Sequence, residues 1–95
     1  MSLKADWWDF HKENPQVWQL FEHFTNQVIA AGHKHYSAAA IIQRIRWHTD
    51  VETTDAAFKI NNNHHPYYAR YFHHVHPQHD GFFRTRELIS ESRNV

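Results

Sequence analysis

Hydrophobic residues recur at helical spacing in three stretches of this chain. Val17, Leu20, Phe21, Phe24 and Val28 fall on one face, after Asn14-Pro15 and before Gly32. Asn suits a helix cap, Pro a first position that needs no N–H, and Gly the residue just past the end, so the pattern predicts a helix over 15–31. Ser37 caps a second stretch in which Ala38, Ile41, Ile42 and Ile45 repeat the i, i+3, i+4, i+7 stripe, which predicts a helix over 38–49. Tyr68, Tyr71, Phe72 and Val75 form a third stripe, with Pro66 at its start and Pro77 as its stop. It predicts a helix over 66–76 that leaves Ala69, Arg70, His73 and His74 off the buried side.

Period-two patterning is weaker. Phe58-Lys59-Ile60 alternates, as do Phe82, Arg84 and Arg86 against Phe83, Thr85 and Glu87 after the Asp80-Gly81 turn. These segments leave room for a short antiparallel two-stranded β-ribbon beside the helices. Residues 50–55 are acidic and β-branched and read as an exposed loop. Residues 1–13 read as an aromatic N-terminal arm or short helical turn, with no role for Met1–Leu3, and residues 88–95 as a fraying tail. The expected fold is mainly α: one compact three-helix domain spanning 1–95, α+β only if the ribbon forms.

Composition sharpens this picture. Ninety-five residues make one domain, and a chain of this size buries roughly 60–65% of its unfolded surface. Aromatic residues are 16% of the chain, so the core is built from rings. There is no cysteine, hence no disulfide framework or thiolate site, in keeping with a reducing compartment. Without a membrane-spanning apolar run or a signal-peptide pattern, the expectation is a cytoplasmic protein with no membrane partner.

Ten basic and ten acidic residues cancel. Their distribution is uneven: no acid occurs between His23 and Thr49, or between Ala56 and His79, so one face could be basic. Eleven histidines would make the protein markedly cationic in mild acid.

The candidate chemistry is of three kinds. The first is nucleic-acid binding, in which Asn61, Asn62 and Asn63 pair with adenine edges while Arg44, Arg46, Lys59, Arg70, Arg84 and Arg86 meet phosphates or guanine. Helices 38–49 and 66–76 would form its bihelical unit, although their link is much longer than a helix-turn-helix allows. The bland counterparts are capping for the Asn triplet and solvated or paired arginines. The second is a protein interface, homodimeric or with a host protein, anchored by Trp7, Trp8 and Trp47, since surplus tryptophans are typical hot-spot residues. Covering the edge of the core is their ordinary alternative. The third is a metal site at His73, His76 and His79, with Asp80 nearby, against the plainer reading of solvated histidines. His33 and His35 read as part of a solvated basic turn.

Catalysis has less behind it. Neither a glycine-rich phosphate loop nor paired carboxylates are present, and no cofactor is implied. Histidines beside Asn and Asp invite comparison with metal-dependent His-Asn-His nucleases, but Asn61–His65 precedes its helix and the base–metal spacing is missing. The chain reads as a non-enzymatic binding module, DNA being its first expected partner.

Asn14-Pro15-x-Val17, Gly32-His33, Tyr36-Ser37, Ile45-Arg46-Trp47, Phe58-Lys59-Ile60-Asn61-Asn62, Tyr68-Ala69-Arg70, Pro77 and Gly81-Phe82-Phe83-x-x-Arg86 together resemble a family of small uncharacterised bacterial and phage or prophage proteins. The resemblance covers about four-fifths of the chain. It implies a mobile-element setting, where small DNA-binding and host-interaction proteins are common, and no particular activity.

Overall fold

A computed structural model of the chain describes residues 2–53 and 60–84. It is mainly helical, with four α-helices among those residues: α1 (Leu3–Glu13), α2 (Pro15–Ala30), α3 (Ala38–Trp47) and α4 (His65–Val75). The expected three are α2, α3 and α4, and the N-terminal stretch supplies the fourth. Ser2 starts α1 by accepting a hydrogen bond from the Ala5 N–H at 3.1 Å, and Leu3 packs against the core, so these residues have structural roles after all. Asn14 holds the N-cap position of α2, its carbonyl accepting the Val17 N–H at 3.1 Å, but its side chain makes no cap bond there: its backbone N–H and its side-chain amide both donate to the Phe10 carbonyl, at 2.9 and 3.0 Å, and end α1.

α2 buries Val17, Phe21, Phe24 and Thr25. It stops in a Schellman pair, His33 N–H to Val28 O and Gly32 N–H to Ile29 O, with Gly32 at φ +99°, where a side chain would be strained. Ser37 caps α3 through the Ala40 N–H at 3.3 Å, and the stripe Ala38, Ile41, Ile42 and Ile45 is buried as its spacing predicts.

Past Trp47 the helix does not open into the expected loop. It widens into a π-helical turn, His48–Glu52. The buried Thr49 hydroxyl donates to the Ile45 and Arg46 carbonyls, at 3.2 and 3.1 Å. Glu52 folds back to accept from the Arg44 guanidinium at 2.7 and 3.3 Å and to meet His48 at 3.0 Å. Arg44 and then His48 hold its carboxyl below the usual carboxylate range. Glu52 is thus a clasp on α3.

A short 3₁₀ turn, Asn62–His64, leads into α4, and another, Pro77–His79, follows it. α4 buries Tyr67, Tyr68, Ala69 and Phe72, a broader face than the predicted stripe. The reason is that α4 packs against α3 and α2, and its Tyr67 and Tyr68 against Trp7 of α1. Ala69, expected off the core, is therefore inside it, while Val75 is exposed.

The expected ribbon is not formed among the described residues. Phe82 and Phe83 both turn inward instead of alternating, and Phe83 makes an isolated parallel bridge with Tyr36. Phe58, Lys59 and residues 85–87 lie outside the described residues, as does the tail. No described helix is long and apolar enough to cross a membrane.

Candidate functional site

The bridge between Tyr36 and Phe83 places two distant pieces of chain in register. The Tyr36 N–H donates to the Phe82 carbonyl at 3.3 Å, so the next pair, Ser37 and Arg84, runs side by side at the start of α3. Beside them opens a cleft of about 610 Å³. Ser37, Ala38 and Ala39 form one wall, the first turns of α4 (His65, Pro66, Ala69) the opposite one, and His35, Tyr36 and Arg84 the rim. Three alanines keep it roomy.

Among the described residues that line it there is no Asp or Glu, and Arg84 is exposed at the mouth. The N-terminal ends of α3 and α4 both abut the cleft, each carrying the positive end of a helix dipole. Ser37 occupies the Ala40 N–H, which leaves those of Ala38 and Ala39 as the open donors at that end. Burial pushes the His65 imidazole below its ordinary pKa, so at neutral pH it is an uncharged hydrogen-bonding group. Backbone donors, a guanidinium and small side chains suit an oxyanion such as phosphate.

Of the expected nucleic-acid residues that are described, Arg84 alone lines this cleft. Arg44 is spent on Glu52 and lies over the Phe24 ring, 4.5 Å from its centre. Arg46 reaches inward to the Ile60 carbonyl. Asn61 behaves as a local cap, accepting from the Asn63 N–H at 2.9 Å, and Asn62 lies within the 3₁₀ turn. Asn63 is exposed beside Gln43 and Ile42. Arg70 lines a separate hollow of about 280 Å³ between α1 and α4. Lys59 and Arg86 lie outside the described residues.

The tryptophans divide. Trp7 is a core residue, not an interface anchor: it stacks on His11 and Tyr67 and meets Tyr68 edge-on, at ring separations of 5.3, 6.0 and 5.5 Å. Trp8 and Trp47 are 43% and 59% exposed.

The metal reading fails on geometry. Among the described residues no three His, Cys, Asp or Glu side chains are placed to hold an ion. His73 Nε2 accepts the Phe83 N–H at 3.1 Å, His76 Nε2 lies 2.6 Å from Glu22, and the His79 ring stacks on Phe72. Each imidazole is a structural tie between α4 and a neighbouring segment.

The cleft residues that sequence reasoning missed are His35, Tyr36 and His65. Their only local signals were a basic turn and a helix start, because Arg84 reaches Ser37 through a pairing that no periodicity announces. Comparison with protein-family models, with curated proteins and with solved structures finds no match.

Proposed function

We propose that this protein is a non-enzymatic binding module that holds a backbone phosphate of nucleic acid, DNA first, in the cleft between α3 and α4. One observation carries the reading: a cleft, without acids among its described lining residues, where the start of α3, the start of α4 and Arg84 converge. A phosphate there receives backbone hydrogen bonds, dipole stabilisation and a guanidinium partner together. α4 itself serves as a wall of the site, with Tyr67, Tyr68, Ala69 and Phe72 buried against the other helices. With a formal net charge of zero the affinity belongs in the weak, non-specific range, roughly micromolar or above. The resemblance to phage and prophage proteins gives such an activity a mobile-element setting.

Fluorescence anisotropy with labelled oligonucleotides, at about pH 7.5 and from low to physiological salt, tests this. Binding is expected to weaken steeply with salt. Arg84→Ala is expected to reduce affinity roughly 5-fold and to lower the slope of log K against log salt by about one, the signature of one lost phosphate contact. An unaltered slope in the variant removes Arg84 and the cleft from the binding surface.

A second reading rests on Trp47 and Val51, one helical turn apart and 59% and 58% exposed. Together they form an apolar pair suited to self-association. It predicts a dimer in sedimentation equilibrium that Trp47→Ser converts to monomer. A wild-type protein that stays monomeric at about 100 µM excludes it.

A further inference from the structure

We infer that the hollow between α1 and α4 takes an unpaired nucleobase, which makes the preferred ligand of this protein a single strand rather than a duplex. The inference rests on the nucleic-acid reading of the cleft, but its observations are separate ones. Lys4, Trp7 and Trp8 line the hollow from α1 at i, i+3, i+4 spacing; Arg70, Tyr71 and His74 line it from α4. Trp8 is the ring that stands out. It is 43% exposed, with its centre 5.7 Å from Trp7 and 6.1 Å from Tyr71, so neighbouring aromatics hold it in place while part of it faces solvent.

Leaving that much indole in water costs stability, and a flat partner would recover it. The surroundings define the partner. Cationic and titratable groups (Lys4, Arg70, His74) border the aromatic surface, and no acid is among its described lining residues. The acids of α1, namely Asp6, Asp9 and Glu13, project from the opposite side of the helix by their spacing. An aromatic platform ringed by cations matches a base stacked on a ring with its phosphate beside it. A volume of about 280 Å³ admits one flat ring system, not the stacked pairs of a duplex.

Placement joins this hollow to the phosphate cleft. Pro66 and Ala69 face the cleft, while Tyr67, Arg70, Tyr71 and His74 face the hollow, all within three turns of α4. A strand crossing the start of α4 meets both in succession.

The test compares an oligothymidylate of about 12 nucleotides, an abasic strand of the same length and a duplex of the same length. Wild type, Trp8→Ala and Trp8→Phe are each measured by anisotropy at low salt. Wild type is expected to bind the thymidylate about 10-fold more tightly than the abasic strand, which has the phosphates without the rings, and also more tightly than the duplex. Trp8→Ala is expected to erase that preference and leave abasic-strand affinity unchanged, and Trp8→Phe to keep most of it. Equal binding of thymidylate and abasic strand overturns the inference, and the phosphate cleft still stands if Arg84→Ala weakens both. Tighter binding of the duplex, or of an acidic peptide in place of any strand, also overturns it. Binding to none of the three removes the inference and the nucleic-acid reading together.

Discussion

Phe72→Ala is expected to lower the unfolding free energy by about 3–5 kcal/mol, the range for emptying a fully buried aromatic site. Phe72 has no exposed surface and lies where three segments meet. Phe21 and Trp18 of α2, Phe83 of the bridge, and His76 and His79 beyond α4 surround its ring at centre separations of 4.7 to 6.5 Å. A domain of this size has about 5–15 kcal/mol in total, so the variant is expected to be partly unfolded at physiological temperature. Urea titration followed by far-ultraviolet circular dichroism measures it. A loss below about 1.5 kcal/mol would mean that this aromatic centre is not packed as described.

Mild acid is expected to destabilise the fold, and the histidines say where. Burial pushes His11, His64, His65 and His73 below the ordinary histidine pKa of about 6.5. A depressed value means that the unfolded chain binds protons at a pH where the folded chain does not. Their contribution is therefore complete above about pH 6.5 and is lost as pH falls from there toward the folded values. His73 is the sharpest case. Its Nε2 accepts the Phe83 N–H, so protonation turns a hydrogen bond into two opposed donors; Asp80, 3.8 Å from Nδ1, opposes the shift only partly. His64 is 4% exposed, neither ring nitrogen has a hydrogen-bond partner among the described residues, and the charge of Asp6 offsets the effect of burial only in part. Urea midpoints are expected to be flat from about pH 8 to 7 and to drop progressively between about 6.5 and 5. His64→Leu is expected to preserve or raise the midpoint at neutral pH and to reduce the acid loss, because it removes buried polar atoms that lack partners. A wild-type midpoint that is unchanged at about pH 5 contradicts this account.

Local rules read the helices well and their environments poorly. Ser37, Pro15, Gly32 and the isoleucine stripe of α3 each state their role within a few residues, and the chain follows them. Glu52 reads as a loop residue in sequence, because it reaches eight positions back to Arg44, a pairing that local spacing does not show. Trp7 was assigned outward because counting tryptophans cannot reveal that α1 lays it against Tyr67 and Tyr68. The arginines illustrate the limit best. Arg44 and Arg84 are alike in sequence; a clasp consumes the first and leaves the second at the mouth of the cleft. The difference is set by tertiary pairings, which spacing does not encode.

The Tyr36–Phe83 bridge also governs how the molecule comes together. The contacts within the helices are local and form on submicrosecond to microsecond timescales, whereas this pairing closes a loop that spans α3 and α4 and must first overcome the entropy of doing so. Arg84 therefore joins Ser37 at the cleft only once that loop has closed. The helical body can exist complete before the cleft is assembled. Under the proposed function, recognition would depend on that closed contact, and a bound phosphate would act as the latch that keeps the chain's distant parts together.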